Sequence, residues 1–424
     1  MLTDTARQLD QWTTDVLRET ARTGGLDARH RFADNRSKLS AQLAGSRVSG
    51  SATAITATQR SNVHLHQRND AVLLAYDSTR TDLAGMMSQV SLDKQGGGIT
   101  RFNASAWYLT PGFEINDLGF RTRRDETGGS LWFALRPTKP FGIFRRGQLN
   151  VNAHGAAKTG GLMIGNGGTM NANGQFVNFW NAYSGVGMNK RGRHLFRPRR
   201  PRRSGPPSPA SPQAWAGVDG DSRKAMTPGI DLFGGRRTDG LGRDWDVGVC
   251  GNVRFGAQLH GSIRFGYGRN IDDQQWIGNF TDGGVTSYTF ARLYQSTSSI
   301  TMRFDYTITP RLSVESYLQP FVSTGAYTNW RAVADGRAED VTLRFPSYTT
   351  RGEPDGFRFG QLRTNNVVRW EYHPGSVLFF VWSQGRDTNA GDPSERGVQP
   401  GFDALLRERP RNVFLVKASY WLGR

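Results

Sequence analysis

The chain has 424 residues, of which 54 are basic and 36 acidic, so its net charge is +18 at pH 7. The longest apolar run, Val377 to Trp382, is far shorter than the roughly 20 residues of a membrane helix. The mean hydropathy of -0.55 is typical of a soluble protein, but a β-barrel has a similar value because polar residues line its lumen. The single cysteine, Cys250, excludes an intramolecular disulfide and a cysteine-based zinc site.

Arginine supplies 47 of the 54 basic residues. A basic surface attracts nucleic acid, lipid phosphates or acidic glycans, and Arg binds phosphate through two parallel hydrogen bonds. The alternative explanation is the codon usage of a GC-rich genome.

The beginning of the chain lacks the marks of an exported protein. Its first residues, MLTDTARQLDQW, have neither the basic start nor the apolar stretch of a signal peptide. The pattern gives about 17 strands, whereas bacterial single-chain barrels have an even number. In such a barrel, Met1 to Gly25 falls at the position of an external loop. We therefore expect a barrel without its N-terminal strands, unless one strand is miscounted.

Short clusters of Gly, Pro, Asn and Asp predict tight turns, and longer polar stretches predict loops. The predicted turns are Ala33–Arg36, Gln95–Gly98, Pro137–Arg145, Asn171–Gly174, Asp219–Ser222, Gly256–Ala257, Thr309–Arg311 and Pro374–Gly375. The predicted loops are Arg47–Leu83, Thr110–Gly128, Lys190–Pro212, Arg269–Val285, Thr324–Phe357 and Arg386–Arg411. This alternation is typical of outer-membrane barrels, which have short periplasmic turns and long external loops.

One of these loops, Lys190 to Pro212, is strongly basic and rich in Pro and Ser. Such a segment cannot build a core, and we predict a disordered loop within a single barrel domain of residues 1–424. Its arginines are candidate contacts for lipopolysaccharide phosphates or nucleic acid. These are Arg197, Arg199, Arg200, Arg202 and Arg203. The alternatives are a solvated loop and a stretch of out-of-frame sequence.

The clearest strand pattern runs from Ile300 to Leu318, where apolar and polar residues alternate. Successive strand side chains point to opposite faces, so one face is apolar and the other is charged. The segment predicts two antiparallel strands of a transmembrane β-barrel, and Asn412 to Leu422 repeats the pattern as the last strand. A sandwich core could use the same alternation, but the loop asymmetry favours the barrel.

Charged residues at the polar positions of these strands are expected to face the lumen. They would either pair into a rigid scaffold or set ion selectivity. The candidate lumen-facing charges are Arg303, Asp305, Glu315, Arg369 and Glu371. Opposite signs recur two residues apart, which favours structural pairing.

Several collinear segments resemble one protein family. They are LTPGFEINDLGFRTRRDE (109–126), AWAGVDGDSRKAM (214–226), the stretch from Tyr288 to Tyr327 with DYTITPRLSVESYLQPFVSTGAY, NNVVRWEYHPGSVLFFVWSQGR (365–386) and NVFLVKASYWLGR (412–424). The chain resembles the C-terminal barrel of a Gram-negative outer-membrane family of unknown function. The resemblance runs from about Leu9 to Arg424 and is interrupted mainly at Lys190 to Pro212.

Members of that family typically begin with a signal peptide and a periplasmic module related to family-9 carbohydrate-binding domains, followed by the barrel. The resemblance therefore implies an outer-membrane location and a barrel architecture, but no reaction. Together with the strand pattern, it predicts an all-β antiparallel barrel of about 16–18 visible strands. The residues of the carbohydrate-binding module are not in this sequence, so the resemblance carries no sugar-binding residue over to it.

The sequence motifs predict no catalytic site, no cofactor and no metal. His64 and His66 are expected in an exposed loop, because no carboxylate or Cys stands at a supporting spacing. Two Asn-Gly segments, at 166–168 and 171–174, lack the carboxylates of a calcium loop and are interpreted as turns. The carboxylates that could form a hydrolytic pair lie in predicted loops, where a solvated role is expected. These are Asp272, Asp273, Glu339, Asp340 and Asp392.

The leading interpretation is an outer-membrane barrel for passage or surface handling of carbohydrate-related solutes, without catalysis of its own. Its expected partners are outer-membrane lipid, lipopolysaccharide and the barrel-insertion machinery, with no specific nucleic acid. Carbohydrate would bind through the separate N-terminal module. The alternatives are a glycan-acting hydrolase associated with that module and a soluble basic β protein that binds polyanions.

Overall fold

The computed structural model describes residues 2–61, 63–64, 66, 73–120, 125–161, 163–191, 210–238, 242–334, 340–349, 356–389 and 398–422. Within these residues, antiparallel strands form one 18-stranded sheet. The strands are β1 (Leu2–Ala6), β2 (Thr20–Phe32), β3 (Ser37–Ser49), β4 (Asp82–Lys94), β5 (Thr100–Leu109), β6 (Glu126–Leu135), β7 (Phe144–Ala157), β8 (Met163–Phe176), β9 (Asn181–Arg191), β10 (Ala210–Asp219), β11 (Met226–Arg236), β12 (Gly242–Phe255), β13 (Leu259–Asp282), β14 (Val285–Thr309), β15 (Leu312–Ala332), β16 (Gly356–His373), β17 (Ser376–Thr388) and β18 (Arg411–Ser419). The helices are α1 (Ala52–Arg60), α2 (Val341–Arg344) and α3 (Gln399–Arg407).

Each strand pairs with the next one along the chain, from β1 to β18. In the described part of the chain no register joins β18 back to β1, and β18 is exposed along its whole length. The predicted antiparallel barrel with about 16–18 visible strands is confirmed.

The two ends of the sheet differ in their connections. At one end, called the short-turn end, strands are joined by 33–36, 95–99, 136–143, 177–180, 220–225, 256–258, 310–311 and 374–375. At the other end, called the long-loop end, the connections include 50–81, 110–125, 192–209, 333–355 and 389–410. The predicted asymmetry is therefore present.

Several predicted connections are wrong in whole or in part, and two of them lie mostly within strands. Asn171–Gly174 is not a turn but the inside of β8, where Asn171 Oδ1 accepts a 2.8 Å hydrogen bond from Asn150 Nδ2 across the sheet. Arg269–Val285 is not a loop either, because β13 and β14 continue to a hairpin at Gly283 and Gly284, both with positive φ. Cross-strand pairing outweighs the local turn preference of Asn and Gly in both places.

The predicted basic loop begins and ends inside strands. Lys190 pairs with Ala210 in the register of β9 and β10, and Pro212 pairs with Met188. The prediction of a loop at these edge positions is therefore wrong, because the sheet continues to Lys190 on one side and starts at Ala210 on the other. Residues 192–209, with all five candidate anion-contacting arginines, lie outside the described residues.

One face of the sheet carries a band of exposed apolar side chains, which we call the belt face. On β14, Met302 and Phe304 are 41% and 44% exposed, and on β18, Val416 is 62% exposed. Registers place these residues in apolar rows across the sheet, such as Ile263 opposite Met302. A continuous exposed apolar band marks a surface that faces lipid or a partner rather than water.

The other face, which we call the polar face, is covered at the long-loop end by connecting segments. Ile55 of α1 packs against Ala21, Val48 and Leu83. These strand residues alternate with the exposed apolar residues of β3 and β4, so α1 lies on the polar face. The described residues contain no helix that is long and apolar enough to cross a membrane.

Candidate functional site on the polar face

Helix α1 begins and is held in place through short polar contacts. Ser51 Oγ caps it by accepting the N–H of Ala54 at 3.1 Å. Gln59 on its last turn donates from Nε2 to the carbonyl oxygen of Asp77 at 2.7 Å and accepts the N–H of Asp77 at 3.0 Å. These bonds tie both ends of the loop that follows β3. We call α1, His64, His66 and residues 110–118 the loop cluster.

The buried centre of the loop cluster is a contact between His64 and Glu114, which are 50 residues apart in the chain. His64 Nε2 lies 2.6 Å from Glu114 Oε2, and His64 Nδ1 lies 3.1 Å from the carbonyl oxygen of Pro111. Glu114 also accepts the N–H of Asn116, and its own N–H donates to Ser46 Oγ on β3 at 2.9 Å. Both partners of the His64 ring are oxygen atoms that can accept a hydrogen bond.

A second carboxylate, Asp117, fixes the loop cluster to the first residues of the chain. Its side chain is 8% exposed and lies 3.0 Å from Arg7 Nη2 and 2.6 Å from Arg18 Nε. Arg18 also donates to Thr58 Oγ1 of α1 at 3.1 Å. A shielded carboxylate held by two guanidinium groups is worth more than an exposed ion pair, and removing it leaves two cations without their partner.

The loop cluster touches the wall of the sheet through two glycines. A Cβ at Gly85 on β4 would lie 2.2 Å from the backbone nitrogen of Phe113, and a Cβ at Gly112 would lie 2.2 Å from the carbonyl oxygen of Ala84. No side chain fits at either position, so the absence of a Cβ lets the two backbones meet.

The sequence-based prediction for the two histidines is wrong. His64 and His66 are 2% and 3% exposed rather than lying in an exposed loop. Their rings meet edge to face at 5.2 Å. The carboxylate that partners His64 comes from a different loop, so no spacing within residues 60–70 could reveal it. In the described residues no group of three or more His, Cys, Asp or Glu side chains is arranged to hold a metal.

Below the loop cluster, the polar face of β5 to β10 carries mainly amide, hydroxyl and aromatic side chains, together with Glu126, whose Oε1 accepts the Nε1–H of Trp107 at 3.0 Å. Trp132 Nε1 donates to Asn150 Oδ1 at 3.1 Å, and Asn150 Nδ2 donates to Asn171 Oδ1 at 2.8 Å. Asn152 Nδ2 donates to Thr169 Oγ1 at 3.0 Å in the next row. Registers place further members on the same face. They are Asn103, Ser105, Trp107, Ser130, Tyr183 and Trp215, and we call the whole set the aromatic–amide wall.

The five candidate lumen charges lie on the polar face of β14 to β16, opposite in parity to the belt residues of the same strands. They are Arg303, Asp305, Glu315, Arg369 and Glu371. Arg369 and Glu371 form an ion pair of 3.4 Å. Asp305 and Glu315 lie directly opposite each other in register, where like charges repel. The structure thus pairs two of the five and juxtaposes two of like sign.

The carboxylates considered for hydrolysis have structural partners. Asp272 lies 3.0 Å from Arg237 Nη1, and Asp273 lies 3.0 Å from Arg292 Nε. Both belong to β13 rather than to a solvated loop. Asp340 caps the start of α2, where it accepts two hydrogen bonds from one threonine. Two further carboxylates, Glu339 and Asp392, lie outside the described residues.

At the short-turn end, a cluster joins the start of β7 to the connections 177–180 and 220–225. The guanidinium carbons of Arg145 and Arg223 lie 3.7 and 3.0 Å from the ring centroid of Phe179, which has a positive φ of 69°. Arg223 also donates from Nε and Nη2 to the Asp221 carboxylate at 2.9 and 2.7 Å. The hydrogen bond from Arg223 lowers the pKa of Asp221 from 3.8 to about 2.

The lowered pKa of Asp221 predicts a pH-dependent contribution to stability. Because the folded pKa is below the unfolded one, the stabilisation is fully present above about pH 4 and disappears as the pH falls towards 2. We expect Asp221→Asn to lower the free energy of unfolding by a constant amount between pH 7 and 5, with the difference closing below pH 4. Urea unfolding of the refolded barrel would measure it, and Arg223→Gln should give the same profile. A difference that persists unchanged at pH 2 would contradict the assignment.

These features define a class of protein. An 18-stranded antiparallel sheet, an apolar belt face and a polar face with loops folded against it are the architecture of a transmembrane β-barrel. A family model described as Domain of unknown function (DUF5916) matches residues 33–423, and the chain belongs to that family.

Solved structures with a similar strand arrangement are distant. The siderophore receptor PirA from Acinetobacter baumannii is 9% identical, with a TM-score of 0.41 over 94% of this chain and 70% of that one. A ferric enterobactin receptor mutant from Pseudomonas aeruginosa in complex with enterobactin is 7% identical, with a TM-score of 0.32 over 90% and 74%. A bacterial polysaccharide outer membrane secretin is 11% identical, with a TM-score of 0.32 over 73% and 86%. No curated protein matches the chain.

Proposed function

We propose that this protein is an outer-membrane β-barrel that lets small, polar, uncharged solutes pass, with the loop cluster narrowing the passage. The observation that carries the proposal is the opposition of the two faces. Apolar side chains are exposed on the belt face, while a buried polar loop cluster is docked on the other face. A barrel with its belt face outward and its polar face inward contacts lipid on the outside and has a water-filled, partly closed lumen.

The aromatic–amide wall supports the choice of solute. Amide side chains offer both donors and acceptors, and the half-buried indole rings offer apolar contact to one face of a solute. Both features suit a hydroxyl-rich molecule with an apolar face, such as a sugar, better than an ion. We therefore propose carbohydrate-related solutes, recognised by the barrel wall itself rather than by a separate module.

The experiment is solute uptake into proteoliposomes that contain the refolded protein. We expect neutral oligosaccharides to enter faster than a charged solute of the same size. The double variant Trp132→Ala and Asn150→Ala should slow the oligosaccharides by up to about thirtyfold, because stacking and hydrogen bonding are each worth roughly 1 kcal/mol.

The matched control is Phe133→Ala, which removes an aromatic ring from the belt face one position away in β6. It should leave the order of solute rates unchanged. Proteoliposomes that take up no solute, or that favour the charged solute in the presence of an intact wall, would contradict the proposal.

A further inference from the structure

The belt face of β7 to β12 contains two cavities of about 640 and 970 Å³ that follow the strand direction. In the first, Leu149 and Leu232 stand on either side of the short side chains Ala172, Ser184 and Ala216, which lie in one register row. The second cavity occupies the next rows towards the long-loop end. We call the two together the outer groove, and its length from residue 174 to residue 168 of β8 is roughly 20 Å.

The outer groove ends beside two arginines. Arg236 and Arg243 are directly opposite each other in the register of β11 and β12, and both line the second cavity. Both side chains are exposed. They have the same parity as the belt residues Leu232 and Trp245, so they point out of the barrel.

The arginine pair has no counter-ion among the residues that the structure describes. Among the described residues, neither Arg236 nor Arg243 takes part in an ion pair or a side-chain hydrogen bond. Like charges directly opposite each other on adjacent strands are destabilising. An anion placed between them would remove that repulsion and could accept two parallel hydrogen bonds from each guanidinium.

Neighbouring aromatic rings indicate the depth of this pair in a membrane. Trp245 is directly opposite Arg269 in register, and its ring lies 5.7 Å from the ring of Tyr267. Arg269 Nε donates to the Tyr267 hydroxyl at 2.9 Å. Outward-facing Trp and Tyr rings concentrate at the level of lipid headgroups. The arginine pair therefore lies where headgroup phosphates lie, and the outer groove lies where acyl chains lie.

We propose that the outer groove binds one phosphorylated lipid from the leaflet at the long-loop end, with its phosphate between Arg236 and Arg243 and an acyl chain along Ala214 and Ala216 of β10. This inference rests on the proposed membrane location, not on the proposed solute. In an outer membrane the matching lipid is the phosphorylated, acylated lipid A anchor of lipopolysaccharide. A transmembrane partner helix would fill the outer groove but leave the two arginines uncompensated.

The test is titration of the refolded protein in detergent micelles with diphosphorylated lipid A, followed by native mass spectrometry. We expect a complex with one lipid. Arg236→Gln combined with Arg243→Gln should weaken it by about tenfold or more, because charge-assisted hydrogen bonds are lost. Ala216→Leu, which fills the outer groove from an exposed position, should also weaken it. Arg31→Gln combined with Arg311→Gln removes the same charge at the short-turn end and should not change it.

Two further probes separate the contributions of phosphate and acyl chain. Lipid A without its phosphates should bind much more weakly, and inorganic phosphate at the same concentration should not compete. Equal binding to the arginine double variant, or equal competition by inorganic phosphate together with no effect of Ala216→Leu, would overturn the proposal. Because no transport is measured, loss of lipid binding is distinguishable from loss of solute uptake.

Discussion

Ile263→Arg should lower the free energy of unfolding of the membrane-inserted barrel by about 2 to 4 kcal/mol, the cost of an arginine on the lipid face near the bilayer midplane. Ile263 is 48% exposed on the belt face. It lies five positions into β13 from the short-turn end, and a strand crosses the membrane in roughly 9 to 11 residues. Urea unfolding in lipid vesicles would measure the change.

The matched control is Ser262→Arg, on the same strand and one residue earlier. Ser262 lies opposite Arg303 on the polar face, so the new arginine meets water at a like-charge cost below about 1 kcal/mol. We therefore expect a large decrease in the free energy of unfolding for Ile263→Arg and a small decrease for Ser262→Arg. Equal losses at both positions would mean that the belt face does not contact lipid.

Glu114→Ala should detach the loop cluster from the polar face and raise the single-channel conductance of the barrel. The substitution leaves His64 Nε2 and the N–H of Asn116 without their carboxylate in a buried position. Each unsatisfied buried polar group costs about 1 to 3 kcal/mol. We expect a loss of this size to weaken the docking of the loop cluster, although its contacts through Ile55 and Asp117 remain, while the sheet stays folded.

Glu114→Gln is the conservative variant for this prediction. Its amide oxygen can still accept one of the two hydrogen bonds, so we expect a conductance between the wild type and Glu114→Ala. Protease cleavage in residues 110–120 should follow the same order. If Glu114→Ala leaves both conductance and cleavage unchanged in a folded barrel, the loop cluster does not control the passage.

The strands of this fold were predictable because their signal is local. An apolar residue at every second position, as in Ile300 to Ile308, requires only adjacent residues to be read. A lipid-facing surface makes this alternation strict, since charges there are expensive. The same local reading failed at Asn171, where a turn-forming residue type is used for a hydrogen bond across the sheet.

The loop cluster was not predictable because its contacts join distant parts of the chain. Glu114 meets His64 across 50 residues, and Asp117 meets Arg7 across more than 100. The close backbone contact at Gly85 could not be predicted from the sequence either. A glycine in a strand suggests a close approach, but the partner, Phe113, becomes visible only in the folded structure.

The outer groove depends both on a local sequence pattern and on contacts between distant parts of the chain. Its small residues on β8 to β10 are visible in the sequence, but they form one row only after the register is known. The paired arginines Arg236 and Arg243 likewise become neighbours through the hairpin of β11 and β12. The sequence alone had instead predicted anion contacts in the more basic segment at 190–212.

The central claim is that the belt face meets lipid and the polar face meets water. The most direct test is spin-label accessibility along β14, with single cysteines at positions 300 to 306 in a Cys250→Ser background. We predict that oxygen reaches the labels at 300, 302, 304 and 306, whereas a water-soluble nickel complex reaches those at 301, 303 and 305. If the labels at even positions were shielded from both reagents, as in a dry core between two sheets, the account would be contradicted.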